Sequence, residues 1–124
     1  MKPKIVVVED NPMNLRLLQQ ALGLAGYEIV SSTDGDGLID IILNAEARLV
    51  LMDIQLPRQS GVDLLHVLRA DSRTKSLPVV AVTAFADPSS VHGFLQAGFD
   101  QVITKPISIQ NMLVEVKRLM TTGD

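Results

Sequence analysis

The sequence predicts an α/β fold: a five-stranded parallel sheet with helices on both faces. Three observations predict it. Short apolar runs recur without polar alternation, as in Ile5-Val6-Val7-Val8, Leu49-Val50-Leu51-Met52 and Val79-Val80-Ala81-Val82, the pattern of strands covered on both faces. Segments with apolar residues at three- and four-residue spacing separate these runs. Helix start and stop signals punctuate those segments, with Asn11-Pro12 and Asp87-Pro88 opening two and Gly26 and Gly98 closing two. Alternation of strands and helices implies right-handed crossovers, and with five strands the expected order is the flavodoxin-like 2-1-3-4-5.

Each element follows in order. The first strand is Ile5 to Val8. Asn11 caps the first helix, whose apolar stripe is Leu15, Leu18, Leu22 and Ala25. Tyr27 to Ser32 is the second strand, and Asp34 is placed to cap a helix with Leu38, Ile41, Ile42 and Ala45 inward. Leu49 to Met52 is a third strand ending at Asp53. Gln55 to Gly61 has loop composition, and Val62, Leu65 and Leu68 mark the third helix. Pro78 precedes the strand Val79 to Val82, and Asp87-Pro88 opens a short fourth helix that Gly98 stops. Gln101 to Thr104 is a weaker strand. Ser108 caps the last helix, with Ile109, Met112, Leu113, Val116 and Met120 inward, and Ile107 and Met112 are placed for a hydrophobic staple.

A chain of 124 residues, 47% hydrophobic and with mean hydropathy +0.27, is expected to form a single domain over 1–124 with a packed core. It contains no cysteine, which excludes disulfides, thiolate metal sites and cysteine nucleophiles. The net charge is −3, the pI about 5.2 and the aromatic content 3%, so direct nucleic-acid binding is not expected. No apolar run approaches the ~20 residues that cross a bilayer, and the N-terminal run is too short for a signal peptide. The expected localisation is cytoplasmic, without membrane attachment.

In such sheets the site lies beyond the carboxyl ends of the strands, beside the point where strand order reverses. Strand 1 ends in Glu9-Asp10, strand 3 in Asp53, strand 4 in Thr83-Ala84 and strand 5 in Lys105-Pro106. Taken singly, an acid after a strand is a turn residue, a threonine a strand residue and a lysine a surface charge. Together they converge from distant segments on one sheet edge. Two carboxylates ~5 Å apart at an effective dielectric of ~20 repel by roughly 3 kcal/mol, and three make three such pairs. Such a site must protonate, stay hydrated or hold a cation. Oxygen ligands without His or Cys point to Mg²⁺. His66 and His92 fall in helical patterns away from every strand end and are expected to be surface or half-buried residues.

These residues resemble a family, the receiver domain of two-component response regulators. The matching segments are Ile5 to Asn11, Val50 to Pro57 with Ser60-Gly61, Pro78 to Ala84, and Lys105-Pro106. The wording of Gln55-Leu56-Pro57, Thr83 to Ala86 and Lys105 to Ser108 looks most like DivK-type single-domain regulators and the receivers of hybrid histidine kinases. The resemblance implies that Asp53 is the phosphoacceptor, attacking a phosphohistidine donor in line. It implies that Glu9, Asp10, Asp53 and the backbone carbonyl of Gln55 hold Mg²⁺. Lys105 would pair with a phosphoryl oxygen, with the Lys105–Pro106 peptide cis. Thr83 would turn its hydroxyl toward the phosphoryl group beside the Ala84 N–H. The donor would be a histidine kinase or histidine phosphotransfer protein.

One departure stands out. The family usually places Tyr or Phe three residues before the strand-5 lysine, and here that position is Val102. Output through a swinging ring is therefore in doubt, with Phe85 or Phe99 as substitutes or the loop after strand 4 and the fourth helix as the route. The expected function is a switch rather than an enzyme: a phosphoacceptor that takes part in its own phosphorylation and dephosphorylation. Its downstream protein partner would be addressed by the face of helix 4, strand 5 and helix 5. A stand-alone regulator is expected from the chain ends; the alternatives are a hybrid-kinase receiver relaying phosphate and a phosphorylation-independent binding module. An aspartyl phosphatase would want an acid where Gln55 stands. A flavodoxin-type carrier would want a glycine- and hydroxyl-rich loop where Glu9-Asp10-Asn11 stands.

Overall fold

The computed structural model describes residues 2–122. Ten elements alternate: β1 (Lys4–Val8), α1 (Pro12–Leu24), β2 (Glu28–Ser32), α2 (Leu38–Ala45), β3 (Leu49–Asp53), α3 (Gly61–Ala70), β4 (Val79–Thr83), α4 (Pro88–Ala97), β5 (Gln101–Thr104) and α5 (Ile109–Thr122). The strands are all parallel, in the expected order β2-β1-β3-β4-β5. Side chains alternate across the pleat, so each central strand feeds two cores. Val6, Val8, Val50, Met52, Val79 and Ala81 pack with residues of α2 and α3. Ile5, Val7, Leu49, Leu51 and Val80 pack on the opposite face with Leu18 and Leu22 of α1 and Met112 and Val116 of α5. Burial on both faces is the physical reason β1, β3 and β4 read as unbroken apolar runs.

Most boundaries follow the sequence signals. Asn11 Oδ1 accepts from the N–H groups of Met13 and Asn14 at 2.9 and 3.1 Å. Asp87 Oδ2 accepts from Ser90 N–H at 2.9 Å, and Gly98, at φ 119°, ends α4. Ser108 Oγ accepts from Asn111 N–H at 3.4 Å, and Ile107 packs on the core that holds Met112. Asp34 differs from expectation. It does not cap α2: its Oδ1 accepts from Asp36 N–H at 2.9 Å, and the N-cap is Gly37, without a side-chain bond. Gly35 and Gly37 both adopt positive φ, 81° and 65°, and the turn they make delays the helix start to Leu38. Gly35 also admits Leu64, which the Val62, Leu65, Leu68 spacing leaves out. A Cβ at Gly35 would stand 2.5 Å from Leu64 Cδ1, and Leu64 is buried as a result.

β5 lies at the edge of the sheet. Its Gln101 side chain accepts from Val102 N–H at 2.9 Å and donates to Glu115 of α5 at 2.7 Å. At the opposite end of the sheet from the strand carboxyl ends, Arg69 reaches four acceptors. It donates to the carbonyls of Lys75, Leu77 and Gly98 at 3.1, 2.6 and 2.9 Å and to Asp100 Oδ2 at 3.0 Å. Among the described residues no helix is long and apolar enough to cross a membrane.

Candidate functional site

The strand ends assemble the expected acids. Val8 pairs with Met52 in register, so Glu9 leaves β1 beside Asp53, the last residue of β3. On its other side Glu9 N–H extends the pairing of β1 with β2 by donating to Ser32 O at 2.9 Å. Carboxylate oxygens of Glu9, Asp10 and Asp53 all lie within 4.8 Å of one another. Glu9 and Asp53 are 1% and 3% exposed, whereas Asp10 is open to solvent. Lys105 enters from β5, its Nζ 2.8 Å from Asp53 Oδ2 and 3.8 Å from Glu9 Oε1. Its backbone is pinned by donation from Lys105 N–H to Thr83 O at 2.7 Å, and the Lys105–Pro106 peptide is cis, as the resemblance implied.

Local backbone geometry orients both buried acids. Asp53 Oδ1 accepts from Gln55 N–H at 2.9 Å. Glu9 Oε2 accepts from Asn11 N–H at 3.2 Å. Glu9 Oε1 is the one buried side-chain polar atom among the described residues with no hydrogen-bond partner. Burial is the main reason its carboxyl is pushed up to about 7; hydrogen bonding to Asp53 in the protonated form and the Asp53 charge add to the rise. The Asn11 N–H and the Lys105 charge act the other way. With both acids ionised that proton is gone, and Oε1 faces Asp53 without a donor. Burial alone would lower the Lys105 ammonium, but the hydrogen bond and charge of Asp53, with the charges of Glu9 and Asp10, raise it.

An orphaned buried oxygen beside two further carboxylates is what a cation site requires. Oxygens in an octahedral Mg²⁺ shell stand ~2.9 Å apart when adjacent and ~4.2 Å when opposite. The 4.8 Å limit on this group is compatible with such a shell after small side-chain adjustments. The donors are hard oxygens without exception, so Glu9, Asp10 and Asp53 could hold a divalent metal.

Thr83 sits at the end of β4, fully buried, and its Oγ1 accepts from Phe85 N–H at 3.0 Å. Ala84, next to it, is exposed. Gln55 is exposed and forms an isolated bridge with Ser60, closing the loop after Asp53. His66 and His92 are exposed on α3 and α4, as expected. Phe99 is buried and stands edge-on to Phe94, with ring centroids 6.3 Å apart. Val102 packs on the same core from β5.

Gly61 is a positioning residue that spacing alone did not reveal. A Cβ there would stand 2.6 Å from Asp53 O and 3.0 Å from Ile54 Cα. Gly61 N–H donates to Ile54 O at 2.9 Å, so the first turn of α3 rests on the backbone that carries Asp53. The available signal was Ser60-Gly61, a cap followed by a residue without a side chain; Ser60 Oγ does accept from Asp63 N–H at 3.2 Å.

Comparison with known proteins agrees with this geometry. The response regulator receiver domain matches residues 5–117. The polar-differentiation response regulator DivK of Brucella anthropi is 34% identical over 117 residues, covering 94% of this chain and 95% of the relative. The receiver domain of a signal transduction histidine kinase from Syntrophus aciditrophicus superposes with a TM-score of 0.86 at 28% identity, covering 97% and 91% of the two chains. The receiver domain of a sensor histidine kinase from Pseudomonas aeruginosa gives 0.87 at 26% identity, covering 98% and 99%; that structure has a magnesium ion coordinated in its active-site cleft.

Proposed function

We propose, from the premise that this chain belongs to the response regulator receiver domain family of two-component systems, that Asp53 accepts a phosphoryl group from a histidine kinase or histidine phosphotransfer protein. The observation that carries this is the group around Asp53: Glu9 and Asp10 within 4.8 Å, the orphaned Glu9 Oε1, and Lys105 Nζ at 2.8 Å. In the transfer a new P–O bond forms to an Asp53 oxygen while the P–N bond to the donor imidazole breaks. The imidazole leaves with the bonding pair and is neutral once it carries its proton.

Glu9, Asp10, Asp53 and the Gln55 carbonyl would hold Mg²⁺, which supplies charge neutralisation for the entering phosphoryl oxygens. Three carboxylates against Mg²⁺ and Lys105 sum to zero, and a phosphoryl group then adds about −1.5 to −2. Lys105, already beside Asp53, takes up part of that charge. The Thr83 hydroxyl, now an acceptor from Phe85, turns to donate to a phosphoryl oxygen, with the Ala84 N–H adjacent. The protein acts as a phosphoacceptor domain in the cytoplasm rather than as a turnover enzyme, and the state of Asp53 sets which protein binds the face of α4, β5 and α5. The likeness to two histidine-kinase receivers favours one second reading, relay of phosphate within a hybrid kinase.

Intact mass after incubation with a small acyl phosphate tests the proposal. A phosphoryl adduct that needs Mg²⁺, disappears with chelator and is absent in Asp53→Asn is the expected result. Unmodified wild type that still binds Mg²⁺ would turn the assignment toward a phosphorylation-independent binding module.

A further inference from the structure

The dipeptide Asp-Gly occurs twice, as Asp34-Gly35 and Asp36-Gly37, back to back in the turn between β2 and α2. In such a pair the glycine nitrogen can attack the side-chain carboxyl carbon of the aspartate before it, because glycine has no Cβ to obstruct the approach. Ring closure requires a glycine N–H that is not held elsewhere and a backbone that can shift. The fold treats the two pairs differently on both counts.

Asp34-Gly35 is held. Gly35 N–H donates to Ser32 Oγ at 3.0 Å in the interior. Gly35 is buried, and a Cβ there would stand 2.5 Å from Leu64 Cδ1, so its backbone lies against α3 without room to move. Asp34 Oδ1 is engaged as well, accepting from Asp36 N–H at 2.9 Å. Asp36-Gly37 is open. Both residues are exposed, and an added Cβ at Gly37 would meet nothing within 4 Å. Gly37 N–H has no hydrogen-bond partner among the described residues. The Asp36 carboxylate makes an ion pair with Arg58 at 3.7 Å, with the two side chains 65% and 74% exposed, too long and too solvated to fix its rotamer.

We propose that Asp36 is a site of spontaneous isomerisation to isoaspartate, and that Ser32 protects Asp34 from the same reaction. Gly37 N bonds to Asp36 Cγ, the carboxyl hydroxyl and the amide proton leave as water, and a cyclic succinimide remains. Solvent water then adds to one of the two ring carbonyls. Breaking the new N–Cγ bond restores aspartate. Breaking the bond from N to the original main-chain carbonyl carbon leaves the chain running through the side chain, with a free α-carboxylate. The water lost is regained, and no oxidant, metal or second protein takes part. The product adds a methylene group to the main chain inside the turn that Leu38 N–H closes on Gly35 O at 3.1 Å, just before buried Leu38. Conversion therefore loosens the start of α2. None of this requires a phosphoryl group, so its failure is separable from failure of the phosphoacceptor assignment.

Ageing of the full chain at neutral pH and physiological temperature is the test, with isoaspartate assigned to each position by electron-transfer fragmentation of the digested protein. The same chain in urea is the reference, since both pairs are free there. In the folded protein Asp36 converts at least ~5-fold faster than Asp34, the factor that one net hydrogen bond brings, and in urea the two rates are alike. Asp36→Glu removes the product at that position, because the ring would need one more carbon. Ser32→Ala releases Gly35 N–H, speeds conversion at Asp34 ~5-fold and leaves the rate at Asp36 unchanged. Should Ser32→Ala fail to fold, the ratio of the two rates in folded against urea-unfolded wild type decides alone. Equal rates at the two positions in the folded protein, or isoaspartate formed only in urea, would overturn the site. An unchanged Asp34 rate in folded Ser32→Ala would overturn the role of Ser32.

Discussion

Replacing Gly61 by alanine adds one methyl group at the point where α3 meets the chain behind Asp53. The new Cβ would stand 2.6 Å from Asp53 O and 3.0 Å from Ile54 Cα. Ordinary contact begins near 3.4 Å, so the two segments must part by roughly 0.8 Å, and both offending atoms are backbone with no rotamer to escape into. Overpacking of this kind costs about 1–3 kcal/mol. For a chain of this length that lowers the melting temperature by roughly 4–12 °C. The displaced backbone also carries the Gln55 N–H bond to Asp53 Oδ1. Misplacing a reacting group by near 1 Å can slow a positioned reaction ~10²-fold. Thermal unfolding and the rate of acyl-phosphate labelling measure the two effects together. Gly23→Ala is the control: it lies within α1 with nothing inside 4 Å of its added Cβ, so it should stabilise by ~0.5–1 kcal/mol and leave labelling unchanged. Equal melting temperatures and labelling rates in Gly61→Ala and wild type would refute the close-approach argument.

Two further outcomes follow from the acidic cluster. In chelator, the Glu9 carboxyl, raised from 4.5 to about 7, binds its proton more tightly folded than unfolded. Its contribution is therefore fully present below pH 4.5 and lost as pH rises through 7, a change on the order of 3 kcal/mol. Urea unfolding across that range should show the decline in wild type and not in Glu9→Gln; identical pH profiles would contradict it. Asp10→Asn removes one of three crowded charges and should raise metal-free stability while weakening the Mg²⁺ response. Mg²⁺ at 100 times its dissociation constant stabilises wild type by about 2.7 kcal/mol, and an undiminished gain in Asp10→Asn would remove Asp10 from the metal ligands.

Much of this architecture was legible in the sequence because double-sided burial leaves a distinctive mark. Ile5 to Val8 and Val79 to Val82 have no polar partner to alternate with, and an acid directly after such a run lies at the sheet's carboxyl edge. That logic located Glu9 and Asp53, the weaker strand Gln101 to Thr104 brought Lys105 to the same edge, and the cluster they form follows from strand order. What escaped was set by contacts between segments. Asp34 carries a capping side chain, but the turn made by Gly35 and Gly37 takes the helix start out of its reach. Leu64 is inward because Gly35 leaves room for it, a fact held by two residues far apart in sequence. Gly61 looked like a loop glycine because the atoms it must avoid belong to Asp53, at the end of β3, and to Ile54 just after it. The Phe85 bond to Thr83 involves a backbone donor, on which side-chain patterns are silent.

The bond from Val102 N–H to Gln101 has a consequence for self-association. An edge strand with free donors is a template on which another chain can add a strand, and natural sheets block that route. Here Gln101 folds back on its own neighbour and is held there by Glu115, so a donor in the middle of the outermost strand is already spent. The strand is also only four residues long. Aggregation by strand addition is disfavoured on this side. A partner addressing β5 meets side chains and helices, and its selectivity must come from their shape and charge rather than from main-chain pairing.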